Sequence, residues 1–404
     1  MSPIAAEPDT ARPPEPPRWS VRDQTWIISD HATAALVLAD PTFQPVQPAH
    51  TLRRVGARLG RDYPDLEAVL SGTQLFQSGP THAGTRQLVR GFQARMRARF
   101  PKARLDEEAR RLVRQLAAGE IEAVSALADA LPVAIFVESL NLDADTIRLL
   151  RQTGRALRAL WRPMPPASLY AELDAACRVA RGTIAGREDF GDLRAEGDGE
   201  PEYPLQDLLL FLVSMPVDST AATIAGALQI LSTDRELQSR MRERPSRLPG
   251  FVAETLRLNG PTRRLHRVVS EARIVAGVSL PQGAGVAVDL DRVHRDPSVY
   301  DEPERFVADR RQKGSFTFGA GARACQGTSM ALLQAVSLID AVLSAWEIAP
   351  AVSPPDLTLD PNLRSYERLP LRVLPLATTD IEGGDHARPW TPLPGREAGR
   401  RLKG

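Results

Sequence analysis

Cysteine is nearly absent: the 404-residue chain has two, Cys177 and Cys325. Two thiols make no disulfide framework, so a small secreted scaffold stapled by cystines is excluded. Lysine is scarce as well. Lys102, Lys313 and Lys403 are the only ones among 51 basic residues, and the rest are arginine, a bias that points to codon usage before function. A surplus of either charge is also lacking, because 50 acidic residues leave a formal charge of +1. Bulk attraction to nucleic acid or to an anionic membrane is therefore not expected. The opening MSPIAAEPDTARPPEPPRW has no apolar stretch behind a charged start, which is neither signal peptide nor membrane anchor. No run is read as approaching the roughly 18 apolar residues of a spanning helix. The expectation is a cytoplasmic protein with no membrane or nucleic-acid partner.

What the chain does have is enough apolar material, 43% of its residues, for a sizeable core. Residues 1–18 are rich in proline and alanine and read as disordered. Residues 19–377 read as a single domain, and 378–404 as a loose tail. WSVRDQTWIISD predicts a short strand pair, and 82–231 is mostly helical by its spacing of three and four. Segment 186–203 predicts a loop. PLQDLLLFLVSMPVDSTAATIAGALQIL, apolar all round, predicts a helix through the core. Two proline-split helices should follow, then strands over 261–288 with a hairpin around Gly283 and Gly285. A coil over 293–315, a long helix over 327–346 and a strand near 371–376 complete the pattern. The fold is therefore mainly α, a large helical body carrying a small β-rich subdomain built from strands at both ends of the sequence.

The most informative stretch is FTFGAGARACQGTSMALLQA. Gly319, Gly321 and Gly327 surround Cys325, and an apolar helix follows at once. Glycines let a backbone turn sharply and approach a flat ligand closely. A thiolate just ahead of a helix is stabilised by the helix dipole and by nearby N–H groups. A bare Gly-x-Gly-x-x-x-Cys is more often a turn with a buried thiol. The fuller string Phe318-Gly319-x-Gly321-x-Arg323-x-Cys325-x-Gly327 resembles the heme-binding loop of the cytochromes P450.

That resemblance implies heme b as cofactor, with Cys325 as the iron ligand, Phe318 packed beside the sulfur and Arg323 on a heme propionate. Glu254-Thr-Leu-Arg257, followed by PERF at 303–306, is similar to the ion-pair network that braces the loop in this family. His82 and Arg86, four apart on one helical face, resemble a propionate-binding pair, although Ser78-Gly79-Pro80 stands where Asp-Pro-Pro is usual. Arg267 matches a further propionate-binding position, with Arg263, Arg264 and His266 as competitors for it. HRDPSVYDEPERFVADR carries His294 where the family usually has Asn.

The family's small-residue, acid and alcohol motif on its central helix corresponds here to Met215-Pro216-Val217-Asp218-Ser219-Thr220. By resemblance Asp218 and Ser219, with Thr220 as substitute, are the catalytic candidates that deliver protons. Met215, Pro216, Thr262 and Arg263 are candidates for the substrate pocket. A proline inside a helix removes a hydrogen bond and bends it, so Pro216 either reproduces a family distortion or marks a different handling of oxygen. Arg263 and Arg264 admit an acidic or carrier-bound substrate.

The implied function is a monooxygenase that oxidises a small, mainly apolar molecule. The alternatives are an atypical outcome (coupling, desaturation, peroxide-driven oxidation or rearrangement) and, more distantly, a heme-less recruitment scaffold. Nothing after the loop reads as a flavin or reductase extension, so the expected electron donors are a separate ferredoxin and ferredoxin reductase. Arg90, Arg95, Arg97 and Arg99 are candidates for docking them.

Overall fold

The computed structural model describes residues 14–161, 165–187, 190, 203–311, 314–358, 360 and 362–376. Most of the expected disorder at 1–18, most of the expected loop at 186–203 and the expected tail lie outside those residues. The helices are α1 (His31–Ala39), α2 (Pro48–Leu59), α3 (Pro64–Gly72), α4 (Gly79–Arg99), α5 (Lys102–Val113), α6 (Ala130–Leu140), α7 (Ala144–Leu157), α8 (Ala167–Ile184), α9 (Leu205–Ser232), α10 (Arg235–Glu243), α11 (Leu248–Asn259), α12 (Leu290–Val293) and α13 (Thr328–Ala345). The strands are β1 (Arg18–Ser20), β2 (Thr25–Ile28), β3 (Phe43–Gln44), β4 (Gly119–Glu122), β5 (Arg264–Val269), β6 (Arg273–Val275), β7 (Val278–Leu280), β8 (Gly285–Asp289), β9 (Trp346–Pro350), β10 (Asp356–Leu357), β11 (Tyr366–Arg368) and β12 (Pro370–Pro375).

Helix starts follow local chemistry. Asp30, Asp143 and Asp234 accept from the N–H three residues on and so cap α1, α7 and α10. Proline sits in the first turn of α2, α3, α4 and α11, where its missing N–H costs nothing.

The centre of the helical body is α9. Its residues are apolar on every side, and most are buried against neighbouring helices, α7 above all. Both α9 and α13 are long and apolar enough to cross a membrane, with mean hydropathy of 1.7 and 1.5 over their best windows. That corrects the expectation that no run comes close. The burial of 78% and 56% of those windows inside the protein accounts for the apolar composition. Pro216 does not end α9, which is unbroken from Leu205 to Ser232. The cost of the proline is confined to the carbonyl of Leu212, which loses its helical donor.

The β structure is divided more deeply than the sequence suggests. One five-stranded sheet has the order β1-β2-β8-β5-β3, parallel only between β2 and β8. It closes over a small core of its own, including Ile28, Val37, Phe43, Val286, Val288 and Phe316. The strands β9 and β12 do not join it. β12 lies between β4 and β9 in a three-stranded sheet, and Ile348, Leu371 and Val373 belong to the main helical core. The single subdomain from both ends is therefore two. The expected hairpin around Gly283 and Gly285 is also corrected. β7 pairs back with β6, Arg273 opposite Leu280, while β8 pairs with β5. Pro281, which has no N–H for a ladder, ends β7 before it could reach β8.

Candidate functional site

The loop from Phe316 to Gly327 leaves the small β core and leads into α13. It turns twice through left-handed backbone, at Gly319 (φ 68°) and Gly321 (φ 62°), angles that a side chain would strain. The fold brings the N–H of Cys325 back onto the carbonyl of Phe318 at 2.8 Å, and Thr328 Oγ1 donates to the Cys325 carbonyl at 3.0 Å. The thiol side chain itself is exposed. Gln326 ties the loop to α4: its Nε2 donates to the Arg86 carbonyl at 2.7 Å, and Gln74 donates to its Oε1 at 2.8 Å.

Around this loop three arginines and a histidine gather from three elements: His82 and Arg86 from α4, Arg267 from β5 and Arg323 from the loop itself. Among the described residues the arginines bond to backbone carbonyls. Arg86 donates to Ala324 at 2.8 Å, Arg323 to Gln77 at 2.6 Å, and Arg267 to His266 at 2.8 Å. Burial together with the Arg323 and Arg86 charges pushes His82 down to about 4. Burial and then Arg267 and Arg86 push Arg323 down to about 10. Burial lowers Arg86 as well, while the Cys325 sulfur works the other way and favours its charge. Basic side chains brought together with no carboxylate bonded to them among the described residues are an anion-binding arrangement.

Strand alternation settles which competitor belongs here. Arg267 points to the face of β5 opposite Arg264 and His266. Arg263 pairs with Asp291 at 2.9 Å, Arg264 with Asp23 at 2.9 Å, and His266 meets Asn362 at 2.8 Å. The arginines taken as a hint of an acidic substrate are thus already paired with the protein's own acids. Thr262 bridges to Leu363 beside them.

Glu254 and Arg257 form a two-pronged pair at 2.8 Å, both side chains at 0% exposure. Arg257 also donates to the carbonyls of His294 and Pro303, each at 2.7 Å, and Glu254 accepts from Val307 N–H and from Arg310. Burial pushes the Glu254 carboxyl up, but these donors outweigh it and hold it below the usual range. Every lone pair and proton has a partner, which a buried pair needs if it is not to destabilise the fold.

On α9 the open face carries Met215, Pro216 and Ser219, with Met215 37% exposed. The Ser219 hydroxyl donates back to the Pro216 carbonyl at 3.3 Å, and Thr220 turns inward and is buried. Asp218, expected to deliver protons, is enclosed by arginines. Arg151 and Arg155 of α7 reach it at 2.8 Å, Arg158 bonds it too, and Arg151 also holds Asp129 at 2.7 Å. Burial would raise its carboxyl, yet the three guanidiniums win and hold it below the normal range. Sequence reasoning missed this hub. Its signal was the spacing 151, 155, 158, a stripe on α7 continued by the turn that follows it. Gln93 of α4 was missed as well. It is 5% exposed, its Oε1 has no hydrogen-bond partner, and its Nε2 and the Cys325 sulfur both lie 3.8 Å from where a Gly327 side chain would begin.

The comparisons agree with this geometry. The family "Cytochrome P450" matches residues 227–367. Cytochrome P450 144 of Mycobacterium tuberculosis is 28% identical over 311 residues, 73% of this chain and 71% of the relative. Cytochrome P450 monooxygenase PikC of Streptomyces venezuelae is 26% identical over 404 residues, 94% and 88% of the two chains. In three dimensions the chain resembles P450BioI, solved in complex with a hexadec-9Z-enoic acid ligated acyl carrier protein. The TM-score is 0.75 at 22% identity, covering 86% of this chain and 92% of that one. The family model, the relatives and the solved structures together support a bacterial-type cytochrome P450. The chain is accordingly an oxidoreductase that uses heme held through a cysteine thiolate, and the cation cluster beside an exposed cysteine is a donor set that fits a heme and its two propionates.

Proposed function

We propose that this protein is a heme-thiolate monooxygenase that transfers one atom of dioxygen to a small, mainly apolar organic molecule in the cytoplasm. The observation that carries the reading is the set of three arginines and His82 converging on the loop that exposes Cys325, bonded to no acid among the described residues. Cys325 is the iron ligand, and His82, Arg86, Arg267 and Arg323 receive the propionates. Heme bound there supplies oxygen activation, and thiolate ligation favours O–O cleavage. The chain's own residues bind and orient. Phe318 and Gly327 border the sulfur, Glu254 and Arg257 hold the loop's support, and Met215, Pro216, Thr262 and Arg263 border the substrate space. Ser219 presents the only hydroxyl of the 218–220 trio on the open face of α9 and holds the proton nearest that space. Electrons come from a separate ferredoxin and its reductase. Arg90 and Arg97, exposed on α4, with Arg95 and Arg99 beside them, offer an acidic partner its docking charge.

The test is turnover of the producing organism's metabolite extract with ferredoxin, reductase, NADPH and labelled dioxygen. One labelled oxygen in a product supports the reading. A second reading, an atypical oxidation such as coupling or a peroxide-driven reaction, is favoured by the pairing of Asp218 with three arginines. That pairing removes the acid from a proton relay. Product without label, or only with added peroxide, would select it.

A further inference from the structure

Two histidines outside the cation cluster grip the chain where it enters the heme loop. His294, which follows α12, is buried, and its Nε2 accepts the Phe316 N–H at 3.0 Å. His31, the first residue of α1, lies with its Nε2 2.6 Å from the Gly314 carbonyl, and its ring stacks on Phe316 at 4.6 Å. The Gly314 carbonyl can only accept, so His31 Nε2 carries a proton. The Phe316 N–H can only donate, so His294 Nε2 carries none. Gly314 itself is shaped to this contact. Its φ is 63°, and a side chain there would begin 2.6 Å from His31 Nε2. His294 also passes the grip inward, because its own carbonyl accepts from Arg257, and the His31 N–H donates to Asp296 at 2.8 Å.

We infer that His31 and His294 form a clamp of opposite hydrogen-bonding sense that positions the Cys325 loop, and that acid opens it from the His294 side. This rests on the heme-thiolate reading for its consequence, though not for the clamp itself. The groups facing His294 are Arg257 from α11, His31 from α1, Asp291 from α12 and Arg295 beyond it. Burial first, then the Arg257 and His31 charges, push its imidazole down to about 4. A buried base with a depressed value is fully neutral above the ordinary histidine range. Between about pH 6.5 and about pH 4 the released imidazole takes up a proton that the clamped one refuses. The clamp therefore weakens by roughly tenfold per pH unit as the pH falls through that window, and is complete above it.

The experiment uses the heme-loaded protein and His294→Gln, whose amide oxygen can stand near Nε2 and accept without titrating. Each is taken from about pH 8 to about pH 4.5. The fraction of red-shifted ferrous–CO band is followed alongside hydrogen exchange of the peptide containing Phe316, each exchange rate taken relative to the intrinsic amide rate at that pH. Wild type is expected to lose the band and gain exchange as acid is added. His294→Gln should hold both over the same range, which sets His294 apart from His82 and His266. His294→Leu should exchange faster than wild type by roughly tenfold at high pH, as for a lost hydrogen bond, and converge with it in acid. His31→Phe, which keeps the stack and loses the donor, should raise exchange and still respond to acid, over a narrower window because the His31 charge no longer helps to depress His294. Identical acid curves for wild type and His294→Gln, with equal exchange, would overturn the clamp. Absence of the red-shifted band even at high pH would instead overturn the heme-thiolate reading, and the exchange comparison would still decide the clamp.

Discussion

Two groups of arginines serve this protein in opposite ways. Near Cys325, Arg86, Arg267 and Arg323 bond to carbonyls beside His82; burial depresses the charge of all four, and neighbouring arginines add to it at His82 and Arg323. Across α9, Arg151, Arg155 and Arg158 close on Asp218 and Asp129, and the carboxylate at their centre is held ionised. The first group is incomplete without an anion, and the second carries its own. An uncompensated cluster costs stability in the empty protein and repays it when ligand binds. A self-neutralised cluster contributes whether or not anything is bound.

The largest break expected in this comparison comes at the ligand the first group surrounds. Cys325→Ser should abolish the red-shifted ferrous–CO band and lower turnover by at least about a hundredfold, since a hydroxyl supplies no thiolate push. Next is Asp218→Asn, which takes the carboxylate from Arg155 and Arg158 and leaves Arg151 with Asp129 alone. It should cost about 3 kcal/mol or more of folding stability, read by denaturant unfolding of heme-free protein. Arg323→Leu sharpens the contrast because its two effects differ in sign. Heme-free protein should melt no lower than wild type, and heme affinity should fall by roughly tenfold to a hundredfold in a titration, as for a lost charge-assisted pair.

A smaller effect concerns protons. His82 is depressed to about 4 while its neighbours are unpaired cations, so the empty site keeps it neutral. Propionates among those cations reverse the field. Heme binding should then take up as much as one proton between about pH 4 and about pH 6.5, visible as a buffer-dependent binding enthalpy. Smallest of all, Ser219→Ala should leave folding unchanged within about 0.5 kcal/mol, as usual for a half-exposed hydroxyl. The ratio of product to peroxide released should fall if Ser219 holds the proton assigned to it.

How much of this was legible depended on the range of the interaction. The loop around Cys325, the pair Glu254–Arg257 and the pair His82–Arg86 are local strings, and local spacing carries their geometry. The apolar continuity of 205–232 likewise announced α9, because a helix buried all round needs no partner to be recognised. The setting of Asp218 was not legible because it comes from α7 and the turn that follows it, some sixty residues away in sequence, with |i−j| of 60 to 67. A stripe of arginines on an amphipathic helix reads as a solvated face until the packing turns it inward. The β pairing failed for the same reason. The alternation in 371–376 showed a strand, but nothing local shows that its neighbours are β4 and β9 rather than β1 or β8. The choice among Arg263, Arg264, His266 and Arg267 needed only the two-residue period of β5 plus the acids opposite, which the sequence could not position.

The pairing of β4 with β12 also sets an order of events during folding. The N–H of Leu369 closes on the Glu122 carboxylate across 247 residues of chain, and β12 follows it directly against β4. Loops of that span close slowly, since the entropy of bringing the ends together is lost before any contact rewards it. On a ribosome the helices α5 to α9 emerge and can associate first, while β4 waits with an unpaired edge until β12 is released. Cofactor capture, which needs the loop before α13, thus belongs to the closing phase of synthesis, and a chain stalled upstream of residue 369 would present an open strand edge to its neighbours.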